Sequence, residues 1–234
     1  MIYRSILFYI FFYLGTIFYF LIFSPVKIFT KSFTLKISKF WTYCVLSLCK
    51  HILLIDYEIS GKENIPNKPI LITSNHQSAW ETFFLYYTFN DPIFLLKKEL
   101  SILPILGSYF KKLGFLFVDR ESGFSSIKKI IYSMRNEELK NNRSIIIFPE
   151  GTRVKPNEIK KLNSGVILLH QSLCMPILPV THDSGKFWIN KRFKKNNGKI
   201  KVKIHPPLEE NLEKKVVLEK LENVFEENIN SDLE

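Results

Sequence analysis

No acidic side chain occurs before Asp56. Arg4, Lys27, Lys31, Lys36, Lys39 and Lys50 therefore give residues 1–55 an uncompensated charge of +6. Alanine is almost missing, with Ala79 the single one, and arginine is scarce at 6 residues against 27 lysines. Lys, Ile, Asn and Phe enrichment with so little Ala fits an A/T-rich genome, so a pI of 9.4 says little about function by itself. Three cysteines, Cys44, Cys49 and Cys174, form no CxxC pair and no zinc pattern. Each lies in an apolar run and reads as a plain core or lipid-facing residue of a reducing compartment. No repeat, low-complexity segment or nucleic-acid recognition motif is present, and the lysines lack interleaved aromatics, which argues against a nucleic-acid partner.

What is present begins with SILFYIFFYLGTIFYFLIF, residues 5–23, uncharged throughout. As a helix it spans ~28 Å, close to the hydrocarbon thickness of a bilayer. No small-x-small cleavage site follows, so the stretch reads as a retained anchor. Arg4 precedes it and Lys27, Lys31, Lys36 and Lys39 follow, which places the bulk of the protein on the cytoplasmic face. A second apolar stretch, 37–55, is interrupted by Lys39, Lys50 and His51 and reads as an interfacial or re-entrant helix. The expected division is a membrane unit over 1–55 and an α/β domain over 56–234. Residues 209–234 hold nine acids and three lysines, leaving 56–208 at +11, a balance suited to an anionic substrate or a membrane surface.

From Asp56 onward, short apolar runs alternate with longer amphipathic ones. Strands are expected at 70–73, 94–96, 115–118, 144–148 and 177–180, with 199–204 as a half-exposed edge strand. Helices are expected at about 79–89, 98–113 with a break at Pro104 and Gly107, 124–140 and 165–173, and a last acidic helix is marked by Val217, Leu221 and Val224. This alternation predicts an α/β fold with a mostly parallel sheet flanked by helices, preceded by the membrane-embedded helical segment. Polar groups follow four strand exits: His76, Lys97 with Lys98, Asp119 with Arg120, and Glu150 with Arg153. Ligands of open α/β sheets sit beyond those carboxyl ends, so one shared site is expected.

In SNHQSAWETF, residues 74–83, an imidazole able to accept a proton near neutral pH stands five positions before Glu81. On a regular helix the two would diverge by about 140°. They can meet only if His76 lies in the loop before the helix. Read alone, the pair is equally a structural histidine with a surface acid. In FPEGTR, 148–153, Pro149 ends a strand and Gly151 permits a sharp turn. Glu150, Thr152 and Arg153 are expected to project together, with Arg153 offering a fork to phosphate or carboxylate. GFLFVDR, 114–120, puts Arg120 at a strand end, and MPILPV, 175–180, alone reads as edge-strand packing.

In this order the blocks NHQSAWE, KKEL, GFLFVDR, FPEGTR and MPILPV resemble the glycerolipid acyltransferase family, most closely the 1-acyl-sn-glycerol-3-phosphate acyltransferases of the bacterial PlsC type. The blocks cover roughly 70–180. Two departures stand out: the acid after the histidine is usually Asp where this chain has Glu81, and LNSG, 162–165, lacks a lysine common before that glycine. The resemblance implies acyl transfer from an acyl-CoA or acyl-carrier-protein thioester to the sn-2 hydroxyl of lysophosphatidate, forming phosphatidate. His76 would be the base and Glu81 its orienting acid. Arg120, Arg153 and Lys97 would hold the acceptor phosphate, and Glu150, Gly151 and Thr152 would belong to the acceptor pocket. No metal or other cofactor is implied, only the thioester co-substrate. The implied partners are a membrane lipid and the acyl donor, with acyl-carrier protein among the candidates, at the bacterial inner membrane. Backbone amides near the helix start are expected to serve as oxyanion donors. The sequence leaves open another lysophospholipid or glycerol 3-phosphate as acceptor, and a non-enzymatic membrane-anchored lipid-binding protein.

Overall fold

The computed structural model describes residues 1–119, 122–135, 143–158, 160–209 and 212–230. Two helices of 21 residues open the chain, α1 (Ile2–Ile22) and α2 (Lys31–His51). They pack antiparallel. Arg4 Nη1 donates to the Ile52 carbonyl at 3.0 Å, the Phe12 and Trp41 rings lie 6.2 Å apart, and Phe23 and Phe33 lie 6.3 Å apart at the other end. Among the described residues α1 is the one helix long and apolar enough to cross a membrane. It buries Ser5, Phe8 and Tyr19 against the protein, while Ile6, Ile10, Leu14, Ile17 and Leu21 remain exposed. That split is what an apolar helix shows when one face meets protein and the other meets lipid.

The second apolar stretch starts six residues before the expected boundary, where Thr30 caps α2 by accepting from the Phe33 amide at 3.2 Å. It does not lie alone on a bilayer. Thr34, Ile37, Thr42, Val45, Leu46 and Cys49 are buried on one side of it. Lys39, which looked like an interruption, donates to the carbonyls of Tyr86, Tyr87 and Phe89 at the end of the next helix. A lysine there satisfies carbonyls that a helix end leaves unpaired.

The body contains β1 (Ile55–Ser60), β2 (Leu71–Ser74), α3 (Trp80–Thr88), β3 (Ile93–Lys97), α4 (Leu106–Lys112), β4 (Leu116–Val118) and α5 (Gly123–Arg135). It continues with β5 (Ile145–Ile147), α6 (Gly165–Leu173), β6 (Ile177–His182), β7 (Gly198–Ile204) and α7 (Lys214–Asn230). Pro104 divides the expected 98–113 helix into a 3-10 turn, Lys98–Ile102, and α4. The described strands form one sheet in the order β1-β7-β6-β2-β5-β3-β4. β6, β2, β5, β3 and β4 run parallel, β7 runs antiparallel to β6, and β1 lies parallel to β7.

Period-two alternation sends side chains to two cores. Ile72, Ile146, Leu178 and Val180 face α2 and α3 and share a cluster with Phe8, Val45, Trp80 and Phe84. Leu71, Ile93, Ile145 and Ile177 face α5, α6 and α7 through Ile130, Val166, Leu169, Val217 and Leu221. Each such buried aliphatic side chain contributes about 1.5–3 kcal/mol relative to exposure.

Two strand assignments are corrected. β7 is half-exposed as expected, but it is flanked on both sides and β1 is the edge. Alternation reports which faces are covered and is silent on which edges are paired. β6 is an interior strand in spite of Pro179. The Pro179 carbonyl accepts from the His205 amide at 3.0 Å, so its missing N–H also faces the segment where Pro206 and Pro207 interrupt the neighbouring ladder.

Candidate active site

β2 ends at Ser74, and residues 75–79 form a loop before α3 begins. This loop removes the 140° divergence that a continuous helix would impose. His76 stands in it, Glu81 lies in the first turn of α3, and His76 Nδ1 meets Glu81 Oε1 at 2.7 Å. The extra methylene relative to aspartate is accommodated by folding the carboxylate back over the loop. Glu81 Oε1 also accepts from the amides of Gln77 at 3.0 Å and Ser78 at 2.9 Å. Oε2 accepts from the Ser78 amide at 3.0 Å, from Ser78 Oγ, and from Ser184 Oγ at 2.9 Å.

Glu81 is fully buried. Burial alone would raise its pKa, but hydrogen bonds from His76 and Ser78 and the charge of nearby imidazoles outweigh it and hold the carboxyl at about 2. A fixed carboxylate accepting from Nδ1 selects the imidazole tautomer with its lone pair on Nε2. The ring stacks on Phe148 with centroids 4.2 Å apart, so its plane is fixed as well. The amides of Gln77, Ser78 and Trp80 are taken by Glu81 and by Ser78 Oγ, which removes them from the expected set of oxyanion donors.

The exit of β5 holds the loop from the other side. The His76 amide donates to Glu150 Oε2 at 2.6 Å, and the Val154 amide donates to the His76 carbonyl at 2.8 Å. Glu150 is buried and therefore points inward, away from the solvent-exposed Thr152 and Arg153. Desolvation pushes its pKa up to about 8 in spite of that hydrogen bond. Gly151 adopts φ +69° and its amide donates to the Phe148 carbonyl at 3.0 Å, closing the turn. A Cβ there would come within 2.7 Å of Asn163 Nδ2, which itself donates to the Pro149 carbonyl at 2.9 Å.

His76 sits where two cavities meet. One, of about 460 Å³, is lined by aromatic and aliphatic side chains of α1, α2, α3 and α4, with Lys97 and Arg153 also on its wall. The other, of about 390 Å³, includes Glu150, Gly151, Lys160, Asn163 and Ser164. They share His76, Leu95, Leu96 and Phe148. Lys97 pairs with Glu99 at 2.8 Å, while Arg153 has only an Asn190 Oδ1 contact at 3.4 Å and no ion pair among the described residues. Thr152 is exposed and lines neither cavity. Arg120 lies outside the described residues. Among the described residues, no group of three or more His, Cys, Asp or Glu side chains is spaced to hold a metal ion.

Sequence reasoning missed the exit of β6. His182 and Asn75 exchange bonds across the strand ends, with Asn75 Nδ2 donating to the His182 carbonyl at 2.8 Å and the His182 amide to Asn75 Oδ1 at 3.1 Å. Ser184 then reaches Glu81, and the Gly185 amide donates to Gln77 Oε1 at 3.0 Å. The signal was available: Thr181-His182-Asp183-Ser184 is a fifth polar run after an apolar strand.

A family model described as Acyltransferase matches residues 56–183. The chain is 33% identical over 210 residues to the 1-acyl-sn-glycerol-3-phosphate acyltransferase of Pseudomonas aeruginosa, covering 88% of this chain and 80% of that protein. It is 30% identical over 193 residues to the Saccharomyces cerevisiae protein of the same name, covering 80% of this chain and 63% of that protein. The crystal structure of the 1-acyl-sn-glycerophosphate (LPA) acyltransferase PlsC from Thermotoga maritima superposes with a TM-score of 0.78 at 22% identity, over 99% of this chain and 97% of that one. At that identity the last match speaks for the fold.

Proposed function

The chain belongs to the acyltransferase family, and from that premise we infer that it transfers a fatty acyl group to the sn-2 hydroxyl of lysophosphatidate, forming phosphatidate. One observation carries the chemistry: a bonded His76–Glu81 pair stands where two substrate-sized cavities meet.

In the proposed step the sn-2 hydroxyl approaches His76 Nε2. The imidazole takes its proton as the oxygen attacks the thioester carbonyl, and Glu81 stabilises the imidazolium. The tetrahedral adduct collapses, the C–S bond breaks, and His76 returns the proton to the departing thiolate. No acyl-enzyme is formed. Ser78, two residues after His76, is occupied with Glu81, Ser184 and the Trp80 amide, which fits a positioning role. Glu150 and Gly151 hold the His76 loop and shape the pocket. The aromatic cavity fits an acyl chain, and Lys97 and Arg153 on its wall suit the acceptor phosphate.

The donor is proposed to be a soluble thioester, acyl-CoA or acyl-carrier protein, with no further cofactor. The exposed apolar face of α1 supports membrane association, and because α1 packs on the body at both ends, through Phe8 with Trp188 and Tyr19 with Tyr109, it is proposed to lie against one leaflet, at the cytoplasmic face of a bacterial inner membrane. Residues 1–55 are then the membrane unit and 56–234 the acyltransferase domain, joined through the core that Phe8 and Trp188 share at a ring distance of 5.4 Å.

Arg153→Ala tests the phosphate assignment. The acceptor KM should rise by roughly 10–100-fold, the loss expected for one charge-assisted hydrogen bond, with the donor KM unchanged. A change confined to the donor KM would remove Arg153 from the acceptor site.

A further inference from the structure

Residues 184–208 contain eight Lys or Arg and no Asp or Glu. The reaction proposed above uses none of them. Three of these cations, Lys191, Arg192 and Lys194, are exposed on one loop and form no ion pair among the described residues. Phe193 stands among them with 51% of its surface exposed, so in this run, unlike the general expectation for the lysines, an aromatic is interleaved with the cations.

The loop is built in place. Lys195 is 2% exposed, and its ammonium donates to the Ile189 carbonyl at 3.1 Å and to the Arg192 carbonyl. It also sits over the Trp188 ring at 5.1 Å and the Tyr9 ring at 6.0 Å. A buried cation tied to two carbonyls of its own loop fixes the turn and turns the neighbouring side chains outward.

The loop is also bolted to α1. The Lys195 amide donates to Ser5 Oγ at 3.0 Å, Trp188 meets Phe8, and Phe193 stacks on Tyr9 at 4.9 Å. Its exposed aromatic is thus continuous with the exposed apolar face of α1, where Ile2, Tyr3, Ile6 and Tyr13 lie. Three unpaired cations around an apolar residue, at the rim of a lipid-facing helix, suit a surface that is apolar inside and anionic at its boundary.

We propose that Lys191, Arg192 and Lys194, with Phe193 among them, form a preorganised loop that engages the headgroups of an anionic lipid bilayer beside α1. This goes beyond the acyl-transfer reaction and rests only on the seating of α1 in a membrane. Within the same loop, Asn190 contacts Arg153 on the wall of the aromatic cavity, so lipid gathered at this surface lies beside that wall.

The test compares the full chain with the exposed-residue variant K191S/R192S/K194S. Protein diluted from detergent is partitioned onto phosphatidylcholine vesicles and onto an equimolar phosphatidylcholine–phosphatidylglycerol mixture, at low and high salt. The wild type should gain affinity on the anionic vesicles at low salt. The variant should lose that gain by on the order of 100-fold, from three cations at a surface worth about fivefold each. Both should bind neutral vesicles equally, and the charge-keeping variant K191R/R192K/K194R should retain the gain. An unchanged gain in the serine variant overturns the proposal, as does its loss in the charge-keeping one. So does an unchanged lipid response with a raised KM for an acyl-carrier-protein thioester, which would make the loop a dock for an acidic protein. Wild type that ignores both vesicles contradicts the seating of α1 and the loop's role together.

Discussion

At the residue scale, Glu81 does more than neutralise His76. It fixes the Nδ1–H tautomer and ties together the amides of residues 77 and 78. Glu81→Gln keeps the size but offers one acceptor oxygen in place of two. It should lower kcat by on the order of 10³–10⁴ with little change in either KM, as for loss of an orienting carboxylate. A kcat within a few-fold of wild type would show that the tautomer is set elsewhere.

Glu150 makes the pH prediction. Its folded pKa of about 8 lies above that of an ordinary carboxyl, so the folded state holds a proton the unfolded chain has released. Its contribution to stability is whole below the ordinary carboxyl pKa and is lost as pH rises through about 8. Glu150→Gln should therefore show a smaller fall in melting temperature than wild type over that window. Parallel curves for the two proteins would contradict the raised pKa.

From residues alone, a histidine and an acid five apart could meet only across a loop, and their reading as base and orienting acid came from the resemblance that the five blocks in order carry. Ser184 was not readable. It acts on Glu81 from 103 positions away, and only the pairing of β6 with β2 brings it there.

At the scale of elements, the turn after β5 depends on backbone shape. Gly151→Ala would put a Cβ into Asn163 and strain a left-handed residue, so it should destabilise by about 1–3 kcal/mol. Denaturant melts check this, and a loss near zero would mean the loop relaxes freely. Strand positions were legible within a residue or two, since apolar runs bounded by polar exits leave few choices. Neighbours were not legible. β1 escaped notice although Ile55, Tyr57 and Ile59 alternate with Asp56, Glu58 and Ser60, because Ile55 reads as the end of the apolar stretch before it. β6 looked like an edge because nothing local reveals that its proline faces a broken ladder.

At the scale of the whole molecule, the two N-terminal helices and the α/β body line one cavity between them. Phe12, Thr16 and Tyr19 of α1 and Ser38 and Trp41 of α2 line the space that reaches His76. A bulky side chain in that wall should shorten the acyl chain accepted. Thr16→Trp is expected to shift the preferred acyl length downward while sparing short-chain turnover, measured with a series of acyl thioesters. An unchanged length profile would place the acyl chain elsewhere. Sequence composition marked α1 as long and apolar enough to cross a membrane, but its pairing with α2 emerges only when aromatic contacts such as Tyr19 with Trp41 are in place.

The most direct test is acylation of lysophosphatidate by the purified full chain, offered acyl-CoA and acyl-carrier-protein thioesters separately, with His76→Ala alongside. Phosphatidate formed by the wild type, and reduced to near background in a variant that still accumulates in membranes, is the predicted result. Wild-type-like phosphatidate formation by His76→Ala, or none by the wild type with either donor, would contradict it.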